Sequence, residues 1–384
     1  MIVLNSDTGE LKVLHVYRTY FPEPPGGLQE VIKQICHGTR CHGVQSRIFT
    51  VARDARPAVL KRSEADVFRF PVHLEIASTG MSATAFAGFR ELASWADVIN
   101  YHFPWPFADI LQMVSRSSTP AIATYHSDIV RQKGLALCYR PLMYNFLGRM
   151  QRIIATSPNY ANSSAVLKRF ESKLETIPIG IAEDTYPAAT DDQLNAVTQA
   201  VGQDYFLFVG VLRYYKGLDI LLDAVAGTAL RLVIAGEGPE GAHISKTIEQ
   251  RGLRHVVMLG RVSDEEKVAL IAMAKAVVLS SHLRSEAFGV SLLEGAMHGK
   301  PLISCEIGTG TSYVNRHGES GLVVGPGDAV ALREAMQRLD GDAELVSSLG
   351  RGARHRYVRL FRGATMAERY ARLYRTLTVH PNQR

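Results

Sequence analysis

One stretch decides the fold of this chain: Ser285-Glu286-Ala287-Phe288-Gly289-Val290-Ser291-Leu292-Leu293-Glu294. Residues 276–280 before it (Ala-Val-Val-Leu-Ser) form a short apolar run with the length and branching of a buried parallel strand. From Phe288 onward the apolar spacing predicts a helix that ends near Gly299, with Pro301 after it. A strand, loop and helix in this order aim free backbone N–H groups at the crevice above the sheet, where anions bind.

The same stretch carries two carboxylates. Glu286 would lie just before the helix and Glu294 two turns inside it, so the two cannot meet at one reacting atom. Their spacing suits hydroxyl groups on two different parts of one long ligand. On spacing alone, the simpler interpretation is a carboxylate favoured by the helix dipole at Glu286 and a solvated helix residue at Glu294.

The alternation of strands and helices extends in both directions and repeats once. In the first half, strands are predicted at residues 12–17, 47–51, 67–70, 97–101, 121–124, 152–155 and 174–177. After a polar, acidic interval the pattern restarts, with strands at residues 205–209, 230–235, 256–259, 276–280, 301–304 and 321–324. We therefore expect an α/β fold with two Rossmann-like, doubly wound domains facing each other across a cleft. Their predicted bounds are residues 1–185 and 204–361, joined by a linker at 186–203.

The composition is that of a soluble globular protein. The chain has 384 residues, of which 46% are hydrophobic and 21% charged, enough for two domains with large cores. No apolar run reaches the roughly 20 residues that a membrane span needs, and the N-terminus does not resemble a signal peptide. The four cysteines form no CxxC pair and no metal-ligand cluster, which favours reduced thiols in a cytoplasm.

The net charge of +6 is concentrated in two places. A basic and apolar stretch covers residues 131–152, and arginines are frequent near the C-terminus: Arg351, Arg354, Arg356, Arg359, Arg362, Arg369, Arg372 and Arg375. Such stretches are typical of helices that lie on anionic lipid. For residues 131–152, an ordinary amphipathic helix packed on its domain is an equally good interpretation. No nucleic-acid-binding module is recognisable, so nucleic acid is not an expected partner.

Two glycine-containing loops are candidates for phosphate contacts. Gly26 and Gly27 precede a predicted helix, where a backbone without side chains can approach a phosphate, although such a pair is more often only a turn. Gly236 and Gly238 belong to a Gly-Glu-Gly-Pro-Glu-Gly run that fits the dinucleotide pattern GxGxxG. Its two glutamates and its proline put acid and a missing N–H where a pyrophosphate needs donors, which argues against a nicotinamide dehydrogenase.

Other polar residues follow predicted strands. Arg213 and Lys216 stand three positions apart on the loop that begins at Gly210, and both are cations suited to phosphate oxygens. His126 follows a strand in Thr-Tyr-His-Ser-Asp, and His102 lies in Tyr-His-Phe-Pro-Trp-Pro. On spacing alone, Arg213 and Lys216 would be surface cations beside a turn, and His126 and His102 would be structural histidines.

Taken together, these motifs resemble the retaining GT-B glycosyltransferases, the family that includes sucrose synthase and bacterial lipopolysaccharide mannosyltransferases. The stretch 285–294 is similar to the paired-glutamate motif, residues 210–217 to the diphosphate loop, and residues 236–239 to a Gly-Glu-Gly-Pro loop that borders the nucleotide base. Residues 317–321 match a His-Gly-x-x-Gly segment. Val211 departs from the pattern, which more often has arginine there, so Arg213 would supply that cation from two residues on.

The resemblance assigns roles to residues. His126, Glu286, Lys216 and Arg213 would form the catalytic centre, with His126 orienting the donor and no agreed nucleophile. A further set would bind the donor, with Glu294 on the ribose hydroxyls: Gly26, Gly27, Gly210, Gly236, Gly238, Ala287, Phe288, Gly289 and Glu294. The acceptor side would be lined by His102, Trp105, Ser127 and Asp128. A C-terminal helix at residues 362–384 would cross back onto the first domain.

The run Gly-Thr-Gly-Thr-Ser-Tyr-Val-Asn at 308–315 and the opening strand with its loop resemble a subgroup of mannosyl- and rhamnosyltransferases of bacterial O-antigen synthesis. This implies GDP-mannose or GDP-rhamnose as the donor and a lipid-linked saccharide as the acceptor, at the cytoplasmic face of the inner membrane. Since two cations can neutralise the diphosphate, we expect no cofactor and no divalent metal. The alternatives are a non-catalytic nucleotide-sugar-binding module on the same fold, and a UDP-sugar-dependent transferase or epimerase.

Overall fold

The structure, a computed structural model, describes residues 10–23, 26–76, 79–129 and 133–378. Up to residue 179 the elements in chain order are β1 (Leu11–Val16), α1 (Gly27–Arg40), β2 (Val44–Ala52), β3 (Val59–Lys61), β4 (Asp66–Pro71), β5 (Leu74–Ile76), β6 (Thr79–Met81), α2 (Ala85–Trp95), β7 (Val98–Phe103), α3 (Pro106–Ser115), β8 (Ala121–Tyr125), α4 (Lys133–Arg149), β9 (Arg152–Ala155), α5 (Pro158–Ser163), α6 (Ala165–Lys168) and β10 (Leu174–Thr176).

From residue 180 they are α7 (Asp191–Val201), β11 (Phe206–Val209), α8 (Leu218–Val225), β12 (Leu232–Ala235), α9 (Gly241–Gln250), β13 (Val256–Gly260), α10 (Asp264–Met273), β14 (Ala276–Leu279), α11 (Val290–Met297), β15 (Leu302–Cys305), α12 (Thr311–Val314), β16 (Gly321–Val324), α13 (Ala329–Asp340), α14 (Ala343–Leu360) and α15 (Gly363–Thr378).

The first of two compact units contains Met1–Thr156, Ser164–Ile179 and the segment from Gly363 onward. Its main sheet has the strand order β10-β9-β8-β7-β1-β2-β4-β3. The pairs are parallel except for β3, which runs antiparallel to β4 at the edge. The strand order reverses between β7 and β1, so the carboxyl ends of these two strands mark the place where such sheets bind ligands.

The second unit contains Ser157–Ser163 and Gly180–Arg362. Its six strands are all parallel in the order β13-β12-β11-β14-β15-β16, and the order reverses between β11 and β14. All four residues of β14 are buried, as expected for a central parallel strand covered on both faces. The stretch 285–294 therefore follows a strand at the switch point of its sheet. The α/β class and the two doubly wound sheets are as predicted.

The structure contains elements that the sequence pattern did not predict, among them the short strands β5 and β6. Residues 52–66 hold the edge strand β3 instead of a helix. Within the proposed linker at 186–203, residues 191–201 form α7. A capping box between Thr190 and Gln193 starts this helix, and its buried residues Val197 and Val201 pack it against α10. The apolar spacing of this helix was hidden by the acidic residues of its first turn.

The C-terminal helix groups with the first unit. Helix α15 packs on α1 so closely that a Cβ added at Gly38 would lie 2.6 Å from the Cβ of Ala367. The Tyr374 hydroxyl accepts a hydrogen bond from Asn100 at 2.9 Å and the Tyr370 hydroxyl lies 3.2 Å from that of Thr124. These buried contacts tie α15 to strands β7 and β8.

Candidate active site

In the second unit, the loops that follow β11 and β14 are in direct contact. Gly217 has a φ of 66°, and a Cβ there would lie 2.3 Å from the carbonyl oxygen of Ser280. The Ser280 hydroxyl donates to the carbonyl of Lys216 at 2.8 Å, and the backbone N–H of His282 donates to the carbonyl of Tyr215 at 3.1 Å. Glycine at 217 is thus required for the two loops to meet, and their meeting places Lys216 beside the stretch 285–294.

Lys216 and Glu286 form a buried ion pair. Both side chains are only about one-tenth exposed, and the Ser281 hydroxyl donates to the same carboxylate oxygen at 3.2 Å. Burial disfavours the charged form of Lys216, but the Glu286 carboxylate outweighs this effect, so the pKa of Lys216 lies above its ordinary value. Two residues that were predicted for one site from separate motifs are therefore in contact.

Arg213 lies on the same loop but is exposed. It starts the short 3-10 turn that ends at Lys216, whose backbone N–H donates to the Arg213 carbonyl at 2.9 Å. In the described part of the chain no ion pair holds its guanidinium. Arg213 is therefore an exposed cation on the loop of Lys216, and its proposed replacement of an arginine at position 211 stays a prediction.

Glu294 is the second buried carboxylate. It is 5% exposed, so the solvated-helix interpretation is wrong. Its oxygen Oε1 lies 2.9 Å from the Lys267 ammonium and accepts from the Tyr186 hydroxyl at 3.1 Å. Burial lowers the pKa of Lys267, but Glu294 and Asp264 together outweigh it and raise the pKa above its usual range. Sequence reasoning missed Lys267 and Tyr186, because no local pattern links them to Glu294.

The backbone between these carboxylates is held from one side by the segment that starts at Gly308. The Thr309 hydroxyl donates to the carbonyl of Glu286, and the backbone N–H of Gly310 donates to that of Ala287, both at 2.8 Å. The Phe288 side chain is buried and packs on Phe361. Among the described residues, no backbone carbonyl accepts from the N–H groups of 287–289. These groups, just before α11, can therefore bind an anion.

Gly236 and Gly238 have a packing role. A Cβ at Gly236 would lie 2.0 Å from the carbonyl oxygen of Gly210, and one at Gly238 would lie 2.4 Å from that of Leu212. The backbone of Leu212 exchanges hydrogen bonds with that of Glu237 and Glu240, at 2.9 and 3.1 Å. The two glycines allow the loop after β12 to pack on the loop after β11, a requirement that the sequence pattern did not reveal.

In the first unit, His126 belongs to a row of three buried histidines. His126 Nε2 lies 3.0 Å from His102 Nδ1, and His102 Nε2 lies 3.1 Å from His15 Nδ1. Burial lowers the pKa of His15 and of His126 to about 3, and it lowers that of His102 well below its usual value. All three rings are therefore neutral near pH 7. His15, on β1, was not predicted, since a single histidine in an apolar strand carries no signal.

The predicted acceptor-side roles of His102 and Trp105 are not supported. His102 lies within β7, is 1% exposed and contacts the other two histidines. Trp105 is also 1% exposed, with its ring centroid 5.5 Å from that of Phe107 and 6.1 Å from that of Phe49. The proline-containing turn after β7 directs the tryptophan into the core, which corresponds to the alternative of loop packing.

The remaining predicted residues of this unit lie at loops. Asp128 accepts from the hydroxyls of Tyr125 at 2.8 Å and Ser164 at 2.7 Å, so it secures the loop after β8. Ser127 is half-buried beside it. Gly26 is the N-cap of α1 in extended conformation, and Gly27 is the first helical residue. Both glycines thus lie at the carboxyl side of β1, next to the switch point of the sheet.

The side chains of the two basic stretches are less accessible to an anionic lipid surface than the sequence suggested. Arg356 is 4% exposed and pairs with Glu319, and Arg354 pairs with Glu183 at 3.0 Å. Apart from Arg362, which lies between the two helices, the C-terminal arginines are divided between α14 in the second unit and α15 in the first. Of residues 131–152, positions 131 and 132 lie outside the described residues. In the described part of α4, Met143, Phe146 and Leu147 are buried, which fits a helix packed on its domain.

In the part of the chain that the structure describes, no helix is long and apolar enough to cross a membrane. Over the same residues, no three histidine, cysteine, aspartate or glutamate side chains are grouped so that they could hold a metal ion.

Two doubly wound units, with buried cations and carboxylates at the switch point of the second, define a GT-B architecture. Solved structures share it over nearly the whole chain. Sucrose-phosphate synthase from Thermosynechococcus elongatus superposes with a TM-score of 0.80 at 21% identity, covering 96% of this chain and 99% of that one. Anabaena HepE in complex with UDP and glucose gives a TM-score of 0.78 at 19% identity, covering 95% and 100%.

Family models match both halves: Glycosyltransferase Family 4 over residues 25–185 and Glycosyl transferases group 1 over residues 190–356. D-rhamnosyltransferase WbpZ of Pseudomonas aeruginosa is 48% identical over 351 residues, 91% of this chain and 92% of its own. O-antigen chain mannosyltransferase C of Escherichia coli is 43% identical over 368 residues, 96% and 99% of the two chains. The chain therefore belongs to the glycosyltransferase family that these two models and these two relatives represent.

Proposed function

We propose that this glycosyltransferase moves mannose or rhamnose from a GDP-linked donor to a lipid-linked saccharide in the synthesis of O-antigen or a related surface polysaccharide. The observation that carries this proposal is the identity of more than 40%, over nearly the whole length, to a D-rhamnosyltransferase and an O-antigen chain mannosyltransferase. Both sugars are 6-carbon sugars of the manno series, so one donor site with modest changes serves either.

The second unit supplies the charges that such a donor needs. As the bond between the anomeric carbon and the phosphate oxygen breaks, negative charge develops on the diphosphate, and Lys216 and Arg213 lie on one loop to neutralise it. Glu286 then accepts hydrogen bonds from sugar hydroxyls, and Glu294 from the ribose diol. In the donor-free protein Glu286 pairs with Lys216 and Glu294 with Lys267. When the donor binds, contacts between the two carboxylates and the donor replace these ion pairs.

We further propose retention of configuration. The acceptor oxygen attacks the face from which the diphosphate leaves, the new carbon–oxygen bond forms there, and the acceptor proton passes to the departing phosphate oxygen. No side-chain nucleophile is required, and His126 contributes a hydrogen bond to the reacting sugar. Because two cations neutralise the diphosphate, the reaction needs no divalent metal and no cofactor.

A transfer assay tests the donor and the stereochemistry together. The purified protein is incubated in EDTA with a lipid-linked saccharide and with GDP-mannose labelled with ¹³C at the anomeric carbon, and NMR reads the configuration of the product. We expect transfer with the anomeric configuration of the donor. A product of inverted configuration would overturn the retaining mechanism, and transfer from UDP-sugars alone would overturn the GDP donor.

The proposed location is the cytoplasmic face of the inner membrane, where the protein would associate peripherally. Its support is the net charge of +6, which attracts anionic lipid headgroups. In a flotation assay at low salt, we expect vesicles rich in phosphatidylglycerol to retain the protein and neutral vesicles to release it. If neither kind of vesicle retained the protein, the proposed membrane location would be wrong, but the proposed enzymatic activity would be unaffected.

A further inference from the structure

The row of three histidines in the first unit crosses three neighbouring strands. His15 lies on β1, His102 on β7, and His126 directly after β8. The ring of His102 is stacked with the rings of both neighbours at interplanar angles of 23°. The ring centroids are 5.4 Å apart for His15 and His102 and 5.3 Å apart for His102 and His126. All three side chains are at most 5% exposed. The strand order β8-β7-β1 therefore sets the order of the row.

Neutral imidazoles can form such a row in only two ways. Each ring has one N–H donor and one lone-pair acceptor, and both ring nitrogens of His102 are occupied by its neighbours. If His102 donates to His126, it must accept from His15, and if it accepts from His126, it must donate to His15. The two hydrogen bonds therefore point in the same direction, and one end of the row fixes the tautomer at the other.

The buried end of the row distinguishes the two directions. His15 Nε2 is buried without a hydrogen-bond partner among the described residues. If each ring donated its hydrogen bond in the direction from His126 towards His15, His15 Nε2 would carry a hydrogen with no acceptor. If the rings donate in the other direction, His15 Nε2 carries a lone pair instead. Unpaired buried N–H groups are rarer in proteins than unpaired acceptors, which favours the direction from His15 to His126.

We propose that His15 and His102 are positioning residues that hold His126 as its Nδ1–H tautomer. In this arrangement His15 Nδ1–H donates to His102 Nε2, and His102 Nδ1–H donates to His126 Nε2. The other ring nitrogen of His126, Nδ1, then carries a hydrogen. His126 offers a hydrogen bond to an oxygen atom of a ligand and does not act as a base. The use of this hydrogen bond in sugar transfer rests on the proposed function, but the tautomer does not.

Charge and burial agree with this assignment. A proton added to His102 or His126 would turn an acceptor nitrogen into a donor and break the row, and a proton added to His15 Nε2 would leave a buried N–H without an acceptor among the described residues. Burial opposes that protonation, as the lowered pKa of each ring indicates. Tyr374 of α15 stands edge-on to His15 at 6.4 Å between ring centroids, and Tyr17 stands edge-on to His102 at the same distance. These aromatic neighbours surround the row with rings instead of charges.

The first experiment reads the tautomers directly and requires no substrate. The protein is labelled with ¹⁵N at histidine, and long-range ¹H–¹⁵N correlation spectra are recorded near pH 7 and assigned with single variants. We expect His15, His102 and His126 each to carry the hydrogen on Nδ1. A hydrogen on Nε2 of His126 would overturn the direction, and a mixture of tautomers at His126 would overturn the proposal that the row fixes it.

The second experiment separates positioning from packing. In His102→Asn the amide nitrogen stands near the position of Nδ1 and can still donate to His126, whereas His102→Leu fills the space without a donor. We expect kcat to fall on the order of tenfold in His102→Leu, the effect of one lost hydrogen bond, with KM for the donor unchanged and partial recovery in His102→Asn.

Circular dichroism and thermal unfolding establish that both variants fold. Equal losses of kcat in folded His102→Asn and His102→Leu would mean that the ring only packs, and would contradict the positioning role. If the wild-type protein transfers no sugar at all, the proposed function fails, while the NMR result still decides the tautomer.

Discussion

The two units have the same kind of sheet but differ in the polar groups that they bury at the carboxyl ends of their strands. The first unit buries three neutral imidazoles, His15, His102 and His126, that bond to one another. The second buries two lysine–glutamate pairs, Lys216 with Glu286 and Lys267 with Glu294. The histidine row is polar without charge, whereas the second place holds two lysines paired with carboxylates, and Lys267 pairs with Asp264 as well, at 2.9 Å.

The difference indicates what each unit can bind. A buried ion pair loses much of its Coulomb attraction to desolvation and adds little to stability. Its charges are useful when a ligand of matching charge can take the place of one partner, as a diphosphate and sugar hydroxyls can. Neutral imidazoles instead keep a fixed hydrogen-bond direction without attracting ions. The second unit thus suits a charged donor and the first a neutral, oriented contact.

The largest expected effect concerns the core of the first unit. Trp105→Ala should reduce the free energy of unfolding by about 3–5 kcal/mol, because the side chain packs between Phe49 and Phe107. Urea denaturation measures this. If stability stayed unchanged while KM for the saccharide acceptor rose, Trp105 would face the acceptor after all.

The next effect separates catalytic charge from ordinary surface charge. Lys216→Met should lower kcat by about 10²–10³-fold, the range seen when one charge-stabilising group is removed from an active site. Lys275→Met is the control, since Lys275 also pairs with a carboxylate, Asp340, whose side chain is half exposed and lies outside the predicted site. Initial transfer rates should leave the control near the wild-type value. Similar losses in both variants would argue against a special role for Lys216.

A smaller effect is expected at the second pair. Glu294→Gln should weaken donor binding by about 10–100-fold, because hydrogen bonds to a charged carboxylate contribute about 1.5–3 kcal/mol. Glu319→Gln, which neutralises a carboxylate paired with the buried Arg356, should leave the donor Kd unchanged. Calorimetric titration gives both values. An unchanged Kd in Glu294→Gln would remove this residue from the donor site.

Close to neutral pH, the smallest effect is a dependence of stability on pH, which grows as the solution becomes more acidic. Below pH 6.5 the unfolded chain binds protons that His15 and His126, with pKa values of about 3, do not bind when folded. Stability should therefore fall as the pH drops from 6.5 towards 3, by about 1.4 kcal/mol per pH unit for each histidine. In His15→Asn, urea denaturation at pH 7, 6 and 5 should give a shallower slope. An equal slope would show that His15 titrates normally.

Part of this comparison was accessible from the sequence. The apolar run of β14 and the helix after it were predictable from the residues, whereas Lys216, Glu286 and His126 were singled out by the family resemblance of their motifs. The partners were not. Lys267 precedes Glu294 by more than twenty residues with no shared pattern, and helix α7 begins among acidic residues that suggested a linker.

The histidine row illustrates the same limit. It requires the order β8-β7-β1 in the sheet, which brings together residues far apart in the chain. A sequence pattern gives the end of each strand but not which strands are neighbours. The burial of Trp105 was likewise undecided, since a loop tryptophan between prolines can face either way.

The most direct test of the proposed donor is a calorimetric titration of the wild-type protein with GDP-mannose and with UDP-glucose, both in EDTA. We expect saturable binding of GDP-mannose without metal, and binding of UDP-glucose at least tenfold weaker, a difference of about 1.4 kcal/mol. Binding of UDP-glucose alone, or binding of GDP-mannose only after Mg²⁺ is restored, would contradict the proposed metal-free GDP-sugar site.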